Sequence, residues 1–78
     1  MKLYGYVAMG LPVEQIAPAL LAEVTFCATP VELRRVAEFF SFCATEMERM
    51  GESYDHMHLS DRIKDFQNSP HVVVAKFD

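Results

Sequence analysis

The chain has 78 residues, 51% of them hydrophobic, with 7 Lys+Arg, 11 Asp+Glu and a formal net charge of -4. That length holds one domain, 1–78, and excludes a two-lobed enzyme with a cleft between domains. Arg34-Arg35 is the only adjacent basic pair, which argues against nucleic acid or an anionic membrane surface as partner, and the apolar content argues against disorder.

Residues 2–8, Lys-Leu-Tyr-Gly-Tyr-Val-Ala, are rich in strand formers and predict a first strand. Gly10, Pro12 and Pro18 punctuate 9–19, which reads as a connection with at most one helical turn. Residues 20–28 predict a second strand, where Glu23 and Thr25 alternate with Val24 and Phe26. Next, Thr29-Pro30-Val31-Glu32 sets Thr at an N-cap, Pro at the first helical position and Glu at N3, the pattern of a capping box. Leu33, Val36, Ala37, Phe40, Cys43, Ala44 and Met47 then recur at helical spacing, with Phe39 at the stripe's edge. Gly51 supplies a stop, so the helix spans about 30–50. Arg34–Glu38 and Glu46–Arg49 are spaced to pair on its solvated side. Residues 52–59 lack periodicity and read as a loop with room for a short extended piece. Ser60 is placed to cap a short helix through Phe66, Asn68-Ser69-Pro70 signals a turn, and 71–77 form the last strand.

This order, β-β-α-α-β, predicts a two-layer α+β domain: a three-stranded, mainly antiparallel sheet covered on one face by the long helix. Val73 and Ala75 then face the helix, while Tyr4, Tyr6, Cys27, Val72 and Val74 face away. Phe42 falls on the helix's polar side, among Arg35, Glu38 and Arg49. An apolar face left uncovered marks an interface, unless the 9–19 connection, carrying Leu11, Val13 and Ile16, folds back over it. Tyr4, Tyr6 and Phe42 are accordingly candidate anchors for a protein partner, with Glu38 and Glu46 at the rim.

Chemical motifs are sparse. His56 and His58 are ligand types for zinc, and His-x-His places both rings on one side of an extended segment. No third ligand stands at a recognisable spacing, so a structural or partner-contacting role is favoured and no metal or cofactor is expected. Ser60-Asp61 lacks the glycine pattern of a nucleophile elbow. Cys43 sits on the apolar stripe, and all three glycines are isolated. The expectation is a protein that is not an enzyme. Cys27 and Cys43 are too few for a disulfide framework and read as buried, reduced thiols, with a single strand-to-helix bridge left open. No leader and no bilayer-spanning stretch stand out, and a cytoplasmic location is the simplest expectation.

With these elements placed, the chain resembles the small bacterial immunity proteins of polymorphic-toxin systems, of the type called immunity protein 32. The resemblance lies in Met-Lys-Leu-Tyr-Gly-Tyr at the start and in Ala28-Thr-Pro-Val-Glu-Leu-Arg-Arg-Val-Ala-Glu-Phe-Phe40. It continues in His56-Met-His58-Leu-Ser-Asp61 and Ser69-Pro70-His-Val-Val-Val. Their order and spacing carry the match, which spans the chain apart from 9–19. It implies a non-enzymatic protein that binds and blocks a cognate protein toxin inside the producing cell. By the same resemblance His56, His58 and Asp61 join the candidate partner-binding residues. The competing class is a small homodimeric structural or regulatory module whose second sheet face is buried by its twin.

Overall fold

The computed structural model describes residues 1–6 and 18–76. Most of the 9–19 connection, with Val7 and Phe77, lies outside them. The long helix, α1, runs Pro30–Met50 and is capped as its sequence dictates. The Thr29 amide donates to Glu32 Oε1 at 2.8 Å, and the Glu32 amide donates to Thr29 Oγ1 at 3.2 Å. Two of the helix's first amides are thereby satisfied. At the other end Gly51 has φ 56°, a conformation that a side chain would strain, and its amide bonds the Met47 carbonyl.

The strands are short and fall into two separate ladders. β1 (Leu3–Gly5) pairs antiparallel with β2 (Ala19–Leu21), setting Tyr4 opposite Leu20. β3 (His56–His58) pairs antiparallel with β4 (Val73–Ala75), setting Met57 opposite Val74. The fold is therefore α+β with two two-stranded sheets and one main helix, not one three-stranded sheet under a helix. The last strand finds its partner in the segment expected as a loop. Three residues are too few for alternation to register as a strand signal.

Residues 22–28, expected to prolong the second strand, join no ladder, and Cys27 is exposed where burial was expected. Cys43 is fully buried, and both thiols are free. A short helix, α2, spans Leu59–Arg62 and starts before Ser60, which is not its cap. Leu59 sets that start: its amide donates to the Val72 carbonyl at 2.8 Å and its side chain is buried. Single 3-10 turns follow α1 (Gly51–Ser53) and α2 (Lys64–Phe66).

The core lies between α1, α2 and the β3–β4 ladder. Val36, Phe39, Cys43, Leu59 and Phe66 form it, with Met57, Ile63, Val72 and Val74 packed against them. Phe39, placed at the stripe's edge by spacing, is its centre at 1% exposure, while Leu33 and Phe40 are 46% and 44% exposed. At about 100° per residue, the buried face is turned roughly 70° from the one predicted. β4 is also inverted: Val72 and Val74 face the core, whereas Val73 and Ala75 face out. A one-residue difference in register reverses every side chain of a strand. Among the described residues, no helix is long and apolar enough to cross a membrane.

Candidate protein-binding face

The extended backbone of β3 puts His56 and His58 on one side, because side chains alternate along a strand. Their rings lie edge to face at 5.1 Å, and His71, just before β4, sets its ring 6.4 Å from that of His58. His56 Nδ1 is 2.6 Å from Asp55 Oδ2. A carboxylate only accepts, so Nδ1 carries the hydrogen and donates it. α2 then carries Asp61 and Arg62 beside the imidazoles. The Arg62 guanidinium stacks over the Phe42 ring with 4.0 Å to its centroid, a cation–π contact. Phe42, expected to stand free on the helix's polar side, is half-buried as a result.

Phe42, His56, Met57, His58, Asp61 and Arg62 line a shallow depression of about 360 Å³. A smaller one of about 140 Å³ adjoins it, bounded by Glu38, Phe39, Phe42, Arg62 and Ile63. Glu38, Phe42 and Glu46 recur at i, i+4 and i+8, so they share one flank of α1. The predicted Glu46–Arg49 pair forms, with Arg49 Nε donating to Glu46 Oε2 at 2.8 Å, and this bond raises the Arg49 guanidinium above its ordinary pKa. Arg34 and Glu38 do not pair among the described residues; Arg35 instead reaches Asp65 at 3.3 Å. Tyr4 and Tyr6 are 60% and 63% exposed on or beside β1, and neither lines the depression.

Arg62 is the residue that sequence reasoning missed here. Its partner Phe42 lies on another element, and no local spacing links the two. Tyr54 was missed in the same way. It is 3% exposed, and its hydroxyl donates to the Val74 carbonyl at 2.9 Å, tying the end of α1 to β4. Burial, then the neighbouring Cys43 thiol, push its phenol pKa up to about 12.

Cys43 is buried in the core and Ser60 is half-buried. Among the described residues, no three His, Cys, Asp or Glu side chains converge in a way that would hold a metal ion. The depression offers an aromatic plane, a guanidinium, two imidazoles and a carboxylate in one open face. No family model matches the chain, and neither a curated protein nor a solved structure matches it.

Proposed function

We propose that the chain is a toxin-neutralising immunity protein that binds a cognate bacterial toxin and occludes it without catalysis, in the cytoplasm of the producing cell. The observation that carries this reading is convergence: Phe42 of α1 and the contiguous His56, His58 and Asp61 of β3 and α2 line one depression. The resemblance of the His56–Asp61 segment to immunity protein 32 supports it.

Arg62 holds the Phe42 ring before any partner arrives, so little side-chain entropy remains to be lost on binding. Glu38 and Glu46, on the same helix flank, form an acidic rim. The net charge of -4 would speed encounter with a basic toxin. Nucleic acid and membrane are not proposed as partners.

The test is whether an adjacent gene encodes a toxin domain, followed by co-expression with that toxin and direct binding measurements. Phe42→Ala should abolish protection and raise Kd by about 30-fold or more, as loss of an anchor does. Arg62→Ala and His58→Ala should each weaken binding less. Tyr6→Ala, outside the depression, separates this face from the β1–β2 hairpin. Wild-type protection and affinity in a folded Phe42→Ala, Arg62→Ala double variant would sink the proposal. The alternative, a homodimeric module with no toxin partner, gains support from a different flank of α1.

A further inference from the structure

The buried stripe of α1 leaves a second apolar stripe beside it. Leu33, Ala37, Phe40, Ala44 and Met47 follow one another at steps of four, three, four and three residues. That is a heptad seam of two full repeats, large and small side chains alternating. It lies roughly 90° around the helix from Val36, Phe39 and Cys43. Leu33, Ala37, Phe40 and Ala44 are exposed and Met47 is half-buried. The candidate toxin face, with Phe42, lies on the opposite flank of the core stripe.

We infer that this seam docks a second copy of the chain, with α1 packed antiparallel on its counterpart about a two-fold axis between Phe40 and Ala44. Two observations point to a copy rather than an unrelated protein. First, the seam is self-complementary: run antiparallel in that register, Phe40 meets Ala44 and Met47 meets Ala37 of the other copy, as an isologous interface requires. Second, the charges beside it agree. Arg34 and Glu48 occupy equivalent flanking positions two heptads apart, and antiparallel pairing sets Arg34 of each copy across from Glu48 of the other. Both are exposed, and neither forms an ion pair among the described residues. In a parallel pair the two equivalent flanks lie on opposite sides of the seam, so this match is lost.

Among the described residues only six apolar side chains are buried, and small domains with so small a core are commonly completed by oligomerisation.

The test is the solution mass of the full chain by light scattering across a dilution series, with helicity checked in parallel. The wild type should run at twice the 8.9 kDa chain mass. Phe40→Glu, on the seam and 44% exposed in the single chain, should give a helical monomer. Arg34→Glu alone should weaken the dimer at least about tenfold, since it sets like charges opposite each other. The Arg34→Glu, Glu48→Arg double variant should restore it. A monomeric wild type at its highest soluble concentration overturns the inference, and so does a dimer indifferent to Phe40→Glu. A dimer lost in Arg34→Glu and not restored in the double variant overturns the antiparallel arrangement. Because Phe42 lies outside the seam, Phe42→Ala should leave the dimer intact, so failure of the toxin reading and failure of this one are distinguishable.

Discussion

Tyr54 shows how one side chain closes the core. It follows the turn after α1, is buried, and spends its hydroxyl on the Val74 carbonyl of β4. Removing the hydroxyl leaves that carbonyl without its donor, so Tyr54→Phe should cost about 1 kcal/mol. In a domain of this size that lowers Tm by about 4–8 °C, which thermal denaturation followed by circular dichroism would read. The same burial predicts a pH dependence. The folded phenol titrates at about 12, above the ~10 of an exposed tyrosine. The stabilising contribution of the neutral phenol is therefore complete below about pH 10 and is lost as pH rises from 10 towards 12. Wild type should lose Tm through that window more steeply than Tyr54→Phe. Parallel curves would mean that Tyr54 is not the group responsible.

Helix α1 carries three distinct longitudinal faces. Val36, Phe39 and Cys43 pack inward; Glu38, Phe42 and Glu46 border the candidate toxin face; Leu33, Ala37 and Phe40 are left to water. Its start is held by the Thr29–Glu32 box, whose hydrogen bonds keep the Glu32 carboxyl below its ordinary pKa, the Thr29 amide first and the Thr29 side chain second. A depressed carboxylate stabilises the fold above its unfolded pKa and ceases to as pH falls through the folded one. Thr29→Ala should cost about 1 kcal/mol at neutral pH. It should also lessen the drop in stability between about pH 5 and pH 3, because half of the box is gone. Denaturant midpoints at the two pH values measure both effects, and identical midpoints for the two proteins at pH 7 would show that the box is not stabilising. Exposed pairs such as Arg35–Asp65 should contribute little by comparison.

Across the whole molecule, cohesion is uneven. Among the described residues, the six buried apolar side chains belong to α1, α2 and the segments around β3 and the 3-10 turns; none belongs to β1 or β2. The β1–β2 ladder is three pairs long and leaves Tyr4 and Leu20 on one exposed face. A two-stranded ladder this short is marginal in water. Native-state hydrogen exchange should therefore find the amides of β1 and β2 opening at much lower free energy than those of Val36–Cys43 and of β3–β4. Equal protection in both would show that the hairpin belongs to the same cooperative unit.

What the sequence determined by itself was local. The capping box, Pro30, the helical spacing and Gly51 are all interactions within a few residues, so α1 was legible to its ends. The β1–β2 pairing was legible in outline, and so was the Glu46–Arg49 pair. The candidate residues His56, His58 and Asp61 were legible as a motif, and Phe42 as an apolar residue out of place. Only the tertiary structure decided which α1 stripe is buried. Apolar residues cover a wide arc of that helix, and the narrow layer formed by α2, β3 and β4 covers half of it. It also decided the inversion of β4, since pairing with β3 rather than with the first two strands sets its register. Finally, it brought Arg62 onto Phe42 and Tyr54 onto Val74, contacts between elements that no periodicity within one element can encode.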